Sequence, residues 1–406
     1  MGGGVSKDQR EALLNSVRKG DVYRLRAHFE QLRGSAARVI NGTRDSDDIN
    51  LLCIAVRRAS EPCLLALLEA RGDPNQVCGQ AKSTPLLLVA EHVRDELSAL
   101  SMVRAMLDAK ANINYCNVFG QTPLYSCAVR TGETLLAYMI KRGAKVNHWN
   151  SIFGKSLLME FFTNGDLDGK KLTTLIDAGA ELHPSERQKV LHLAAMQQND
   201  NVLRIVLNKT GAGKPHVEAR NEVGETTIHL VCAAREPSVG AIKELLQTKA
   251  DIETVNGKGQ TPLLKCVECN VGPSTIQFLL SHRADPNHAS PTNTTALIKS
   301  CREWPDPREV IEALVSRGAH INHQENVTRS SALHELAQRE DMDTQALLAS
   351  GMMLLRHGAL VSLKNAEGRL PLHLCYATCG RMRKGVTGGH PFSKVFFSFL
   401  RGRVVA

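Results

Sequence analysis

Residues 249–263 run Lys-Ala-Asp-Ile-Glu-Thr-Val-Asn-Gly-Lys-Gly-Gln-Thr-Pro-Leu, and both ends of this stretch recur along the chain. The Thr-Pro-Leu end returns as Thr84-Pro85-Leu86 and Thr122-Pro123-Leu124, and weaker copies follow one another at steps of 33 to 39 residues. The other end returns in the intervals as a short turn of small, Asn-rich composition, for example Arg71-Gly-Asp-Pro-Asn75. Self-similarity at such a period indicates a repeat architecture.

Each part of the repeat has a structural role. Thr caps the first helix, and Pro at the next position loses no donor that the helix needs. The Leu begins a buried stripe, a second helix follows with apolar residues at helical spacing, and a Gly in the left-handed conformation ends it. Lys110, Lys249 and Arg283 replace this Gly in three repeats, at about 1 kcal/mol each.

This pattern resembles the ankyrin repeat over about residues 47–400, with about ten repeats. The resemblance implies a mainly α fold: a single ankyrin-repeat solenoid of antiparallel helix pairs joined by β-hairpin-like loops, with capping helices at both ends. It also implies that targets bind the concave face and the hairpin tips.

The pattern divides the chain into four segments. Residues 1–7 are expected to form a flexible tail, 8–46 an amino-terminal helical cap, 47–365 repeats 1–9, and 366–406 a last atypical repeat with the carboxyl-terminal cap. A longer connection is expected at 210–215 and a long loop at 376–391. The aromatic segment 391–405 is predicted to close the stack, with insertion into a membrane interface as the alternative.

Composition excludes several classes of protein. Apolar residues make up 43% of the 406, aromatic residues 4%, and the 11 cysteines are too sparse for a disulfide-stapled secreted domain. No apolar run reaches the roughly 18 residues of a membrane helix, and no secretory signal peptide opens the chain. The net charge of +9 collects at the ends, with nine basic against five acidic residues in 1–46 and eight against one in 364–406. We therefore expect a cytoplasmic protein.

The search for reactive constellations predicts no enzyme. Gly154-Lys155-Ser156 lacks the first glycine of a phosphate loop, and His334-Glu335 lacks the second histidine of a zinc-protease helix. The histidines that follow the triplet are expected to tie turns by hydrogen bonds: His192, His229, His334 and His373. No catalytic residue, metal ligand, cofactor or small-molecule substrate is predicted.

The amino terminus carries a modification signal. Met1-Gly2-Gly3-Gly4-Val5-Ser6-Lys7 fits the N-myristoylation pattern, with Gly2 as the lipidation site. One acyl chain binds membranes only marginally, so the pattern predicts reversible attachment to the cytoplasmic face of a membrane, assisted by the basic amino terminus. The alternative is an unmodified Gly-rich tail.

Aromatic residues mark a candidate partner-binding site. The predicted binding residues lie in the hairpins that end the second and third units: Tyr115, Phe119, His148, Trp149 and Phe153. Exposed Trp and Tyr side chains are typical hot spots because they bury a large area at small entropic cost. The alternative is that Phe119 and Phe153 pack on each other between the hairpins.

The favoured function is therefore a non-enzymatic scaffold or adaptor for protein–protein interaction, whose protein partner the sequence leaves unidentified. A substrate-receptor subunit of a ubiquitin ligase is the alternative, on a faint likeness of Leu372-His-Leu-Cys375 to the start of a SOCS box. A nucleic-acid reader that uses the basic ends is a third, disfavoured hypothesis because the basic residues do not follow a continuous face.

Overall fold

The computed structural model describes residues 7–374 apart from 33, 131, 165–167, 198, 210–213 and 235. Within these residues the chain has 22 α-helices and one two-stranded sheet, which confirms the predicted mainly α class. The chain divides into two compact units, Met1–Val190 and Leu191–Ala406. The predicted lipidation site Gly2, the loop at 376–391 and the closing helix at 391–405 lie outside the described residues, and the four-segment division stays a prediction.

The first unit is built from helix pairs. Its elements are α1 (Lys7–Lys19), α2 (Val22–Gln31), α3 (Ala36–Gly42), α4 (Leu51–Arg57), α5 (Glu61–Glu69), α6 (Pro85–His92), α7 (Glu96–Asp108), α8 (Pro123–Arg130), α9 (Glu133–Lys141), β1 (Trp149–Asn150), β2 (Lys155–Ser156), α10 (Leu157–Asn164), α11 (Gly169–Asp177) and a 3-10 helix (Pro184–Glu186). The first helices of the pairs pack in the order α4, α6, α8, α10, and the second helices in the order α5, α7, α9, α11. The amino-terminal pair α1 and α2 covers the start of both rows by packing on α4 and α5.

The second unit repeats this arrangement. Helix α12 (Arg187–Met196) crosses the boundary and is followed by α13 (Asp200–Lys209), α14 (Lys214–Val217), α15 (Thr227–Cys232), α16 (Val239–Gln247), α17 (Pro262–Glu268), α18 (Pro273–Ser281), α19 (Ala296–Glu303), α20 (Arg308–Ser316), α21 (Ala332–Ala337) and α22 (Thr344–Arg356). Helices α15, α17, α19 and α21 pack in one row, and α18, α20 and α22 in the other. Within each unit, like modules therefore stack in the order of the sequence.

The predicted side-chain caps form at two of the three Thr-Pro-Leu triplets, whereas the hydroxyl of Thr84 makes no cap hydrogen bond. The Thr122 hydroxyl accepts from the Tyr125 amide at 3.2 Å, and Thr261 accepts from the Leu264 amide at 3.4 Å. The predicted structural role of the histidines is confirmed at His229, whose Nδ1 accepts from the Thr226 amide at 3.3 Å. Its Nε2 lies 2.9 Å from the carbonyl of Gln260, so the neutral ring carries its proton on Nε2. One side chain thus caps its own helix and ties down the next turn.

The ends of the second helices correct one detail of the pattern. Lys110, Lys249 and Arg283 are left-handed as expected, with φ of 70°, 66° and 71°. Arg71 is a fourth, with φ of 63°, because Arg71 and not Gly72 occupies the left-handed position that Lys110 holds in its repeat. At Gly72 a Cβ would lie 2.9 Å from the carbonyl oxygen of Leu67, so this glycine serves close approach instead of left-handed backbone.

None of the described helices is both long enough and apolar enough to cross a membrane.

Candidate functional site

Two neighbouring hairpins of the first unit expose apolar side chains. The second hairpin (residues 115–121) and the third hairpin (residues 148–156) contribute a group that we call the aromatic surface: Val118, Phe119, Trp149, Ile152 and Phe153. Their exposed fractions lie between 41% and 60%. Large apolar side chains gathered on a hairpin rim are typical of interaction sites, whereas single exposed ones are ordinary.

The second hairpin is built on a buried asparagine. The Asn117 carboxamide oxygen accepts from the backbone amides of Phe119 and Gln121, both at 3.0 Å. The turn closes at Gly120, whose φ is 71°. These bonds fix the backbone, while Val118 and Phe119 each stay about half exposed. The signal for this turn is the Asn that precedes the Gly by three residues.

The second hairpin also rests on the turn before it. The Tyr115 hydroxyl donates to the carbonyl of Lys82 at 2.9 Å, and burial raises the pKa of this phenol, so it stays a donor. The Val118 amide donates to the carbonyl of Ala81 at 3.2 Å. Tyr115, a predicted partner-binding residue, is half-buried and uses its polar end inside the molecule.

The third hairpin contains the one short sheet of the described residues. Trp149 pairs with Ser156 and Asn150 with Lys155 in antiparallel register. Asn150 is fully buried, and its carboxamide oxygen accepts from the amides of Ile152 at 3.0 Å and Phe153 at 3.2 Å. The tip is again held from beneath by an asparagine.

Polar contacts join the second and third hairpins. The Asn150 Nδ2 donates to the carbonyl of Phe119 at 2.9 Å, and the His148 Nε2 lies 3.0 Å from the carbonyl of Gly120. A Cβ at Gly120 would lie 2.3 Å from the Asn150 Oδ1, so only glycine allows this approach. His148, also predicted as a partner-binding residue, therefore has its Nε2 engaged within the fold. His288 makes the same contact with Gly259 in the second unit, at 3.0 Å.

Trp149 is partly supported by the turn that follows. Its ring lies 4.9 Å from the ring of His183, at an interplanar angle of 45°. His183 is fixed because Glu186, a buried carboxylate, accepts from its amide at 3.1 Å and from the Ser156 amide at 2.8 Å. One part of the indole thus packs on His183, and 41% of the residue stays exposed. Sequence reasoning missed both supports, although His183-Pro-Ser-Glu186 has the spacing of a capping box.

The structure brings all five predicted residues into one pair of joined hairpins. Phe119 and Phe153 stay 46% and 52% exposed, so any contact between them leaves about half of each accessible. Val118 and Ile152 were missed, although each stands directly before the tip phenylalanine. Tyr115 and His148 form the base of the site, and the aromatic surface is its exposed part.

The first helices of the second unit carry paired charges. Lys265 contacts Glu225 at 2.9 Å, and Arg302 bridges Glu325 at 2.7 Å and Glu335 at 2.9 Å. Both of the carboxylates that Arg302 contacts are buried. Burial raises the pKa of Glu325, but hydrogen bonds from Thr328 and Arg302 outweigh it and leave that pKa below its usual value. These charges satisfy one another.

In the described part of the chain, no group of three or more His, Cys, Asp or Glu side chains is placed to hold a metal ion.

Comparisons with known proteins agree with this architecture. A family model described as ankyrin repeats (3 copies) matches residues 228–325. The chain is similar to the B-cell lymphoma 3 protein homolog of Mus musculus, with 30% identity over 198 residues, which are 47% of this chain and 40% of the relative. It is also similar to the neurogenic locus notch homolog protein 1 of Mus musculus, with 31% identity over 155 residues, which are 38% of this chain and 6% of the relative.

With its stacked helix pairs, its Thr-Pro-Leu caps and these matches, the chain belongs to the ankyrin-repeat proteins. The aligned segments span less than half of the length of either relative.

Proposed function

We propose that the protein is a non-enzymatic scaffold for protein–protein interaction, and that the aromatic surface of the first unit is its partner-binding site. The observation that carries the proposal is the combination of exposed apolar tips with turns that buried asparagines hold by hydrogen bonds. A binding surface that is rigid before association loses little entropy on binding.

The chemistry of the surface favours an apolar segment of a partner protein. The tips present one indole, two phenyl rings and two branched aliphatic side chains, and aromatic anchors of this kind dominate the binding energy of interfaces. The polar ends of Tyr115 and His148 already bond the backbone at 2.9 and 3.0 Å, so specificity would come from shape and apolar contact.

Proximity labelling in cells tests this proposal. We expect Trp149→Ala to reduce labelling of the partner at least tenfold, because loss of one hot-spot residue costs about 2 kcal/mol or more, while the melting temperature stays near that of wild type. Tyr23→Ala is the matched control, because Tyr23 is an aromatic residue 85% exposed on α2. Equal labelling by the wild type, Trp149→Ala and Tyr23→Ala would contradict the proposal, and parallel loss of labelling and melting temperature would make Trp149 structural.

We further propose that Gly2 is myristoylated and attaches the protein reversibly to the cytoplasmic face of a membrane. The support is the sequence Met1-Gly2-Gly3-Gly4-Val5-Ser6 with Lys7 next to it. Mass spectrometry of the mature amino terminus should find a myristoyl amide that is absent from Gly2→Ala. An acetylated or free Gly2 in the wild type would refute the proposed membrane attachment and would leave the proposed partner-binding site unaffected.

A further inference from the structure

Two buried cysteines of the first unit meet at their sulfur atoms. Cys53 lies on α4 and Cys78 in the turn before α6, and their Sγ atoms are 2.7 Å apart. Both residues are at most 2% exposed. A disulfide bond is about 2.05 Å long, so a bond between these atoms requires a movement of less than about 1 Å.

The surroundings of the pair differ between the two thiols. The hydrogen bond with Cys53 and the positive charges of Arg57 and Arg44 lower the pKa of Cys78, against the opposing effect of burial. Burial raises the pKa of Cys53, which therefore keeps its proton. Arg44 is held close by, because its Nη1 donates to the carbonyl of Val77 at 3.0 Å. A thiol of lowered pKa beside a thiol that keeps its proton favours disulfide chemistry, because the thiolate form is the nucleophile.

We propose that Cys53 and Cys78 are a modification site that forms a reversible intramolecular disulfide when the protein meets a peroxide. The Cys78 thiolate attacks one peroxide oxygen, the O–O bond breaks, and the departing hydroxide takes a proton to become water. The Cys53 sulfur then attacks the sulfenic sulfur of Cys78, the S–O bond breaks, and the hydroxyl group leaves as water with the proton of Cys53. Two thiols and one peroxide become one disulfide and two waters.

The second unit supplies an internal comparison. Cys266 is fully buried and hydrogen-bonded to Cys232, and burial raises the pKa of Cys266. Among the residues that the structure describes, no arginine lowers the pKa of Cys266 as Arg57 and Arg44 lower that of Cys78. Because the thiolate is the nucleophile, we expect the pair in the second unit to stay reduced when the Cys53–Cys78 pair oxidises.

The bond would reinforce the base of the aromatic surface. It would join α4 to the turn at 78–83, and this turn accepts the Val118 amide at Ala81 and the Tyr115 hydroxyl at Lys82. Cross-linking residues 25 positions apart also restricts the unfolded chain. The oxidised protein should therefore melt at a higher temperature than the reduced one.

Peptide mapping of the full chain tests the site. Trypsin cuts after Arg44, Arg57, Arg71 and Lys82, so Cys53 falls in peptide 45–57 and Cys78 in peptide 72–82, each with a single cysteine. The protein is treated with hydrogen peroxide, denatured, blocked with N-ethylmaleimide and digested. We expect peptides 45–57 and 72–82 to be joined by a disulfide that dithiothreitol cleaves, while the peptides of Cys232 and Cys266 carry maleimide.

Two variants complete the experiment. Cys53→Ser should abolish the link and leave peptide 72–82 with an oxidised or blocked cysteine, whereas Cys63→Ser, at an equally buried cysteine on α5, should keep the link. Maleimide on both peptides of the peroxide-treated wild type would overturn the proposal. So would oxidation of Cys78 to sulfinic acid without the link. The peptide map of the wild type decides the matter even if Cys53→Ser fails to fold.

Discussion

The third hairpin of the first unit and the hairpin at 256–260 of the second unit are each held by a buried asparagine but present different tips. In the third hairpin Asn150 holds the amides of Ile152 and Phe153. In the other, which we call the polar hairpin, Asn256 holds the amides of Lys258 at 2.9 Å and Gln260 at 3.0 Å. The hydrogen bonds to asparagine fix the backbone of each turn, whereas the side chains at the tip differ between the two hairpins. The third hairpin carries Ile and Phe at its tip, and the polar hairpin carries Gly and Lys. The fold therefore does not require apolar side chains at this position.

The largest expected effect concerns the paired charges of the second unit. Arg302→Met leaves Glu325 and Glu335 buried without their cation, and removing one partner of a buried ion pair costs about 3 kcal/mol or more. Urea unfolding should show this loss, with partner labelling through the aromatic surface unchanged wherever the protein is folded. Arg308→Met is the control, because Arg308 and its partner Asp306 are both about half exposed. If Arg302→Met folds but no longer captures the partner, the binding site lies in the second unit and the proposed site is wrong.

The next effect compares two glycines of the first unit. Gly120→Ala should cost about 2–3 kcal/mol, because its φ is 71° and its Cβ would meet the Asn150 carboxamide. Gly154 has φ of 60° but nothing within 4 Å of a Cβ, so Gly154→Ala should cost only about 1 kcal/mol. Gly120→Ala should also weaken partner binding by separating the hairpins. Equal unfolding free energies for the two variants would show that the hairpins are not joined as described.

The smallest effect is a dependence on pH in the second unit. Burial lowers the pKa of His229 and His334 below the ordinary value of 6.5. A histidine with a lowered folded pKa contributes stability that is fully present above the unfolded pKa and is lost as pH falls below it. Protonation would place a hydrogen on the Nδ1 that accepts the Thr226 amide. The urea concentration at the unfolding midpoint should decrease as the pH is lowered from 7 to 5, and His229→Gln should make that decrease smaller. A midpoint that does not change with pH would contradict the lowered pKa of these histidines.

Much of the fold was predictable because the helix caps and turns of each repeat depend on residues that are close in sequence. Thr122 and Thr261 cap their helices as the triplet predicts, and His229 ties two turns. The left-handed Arg71 was missed because the sequence places its glycine, Gly72, one position after the left-handed residue. Helix α3 was also missed, since its Val39 and Ile40 bury too few apolar positions to give a periodic signal.

The site was predictable in its location and not in its internal contacts. The rings at 115–153 stand out in a chain with 4% aromatic residues. That Tyr115 and His148 would turn their polar ends inward depends on the carbonyls of Lys82 and Gly120, more than 25 residues away in sequence. Contacts between successive hairpins are tertiary, and a single repeat does not encode them.

Photo-crosslinking at the two tips tests the central claim most directly. A benzophenone amino acid replaces Phe153 in one variant and Lys258 in another, so each probe sits at a hairpin tip whose amide is bonded to a buried asparagine. Illumination in cells should give a discrete partner adduct from position 153, lost when Trp149→Ala is added, and only background from position 258. The same adduct from both positions, or from position 258 alone, would contradict the claim that the aromatic surface is the partner-binding site.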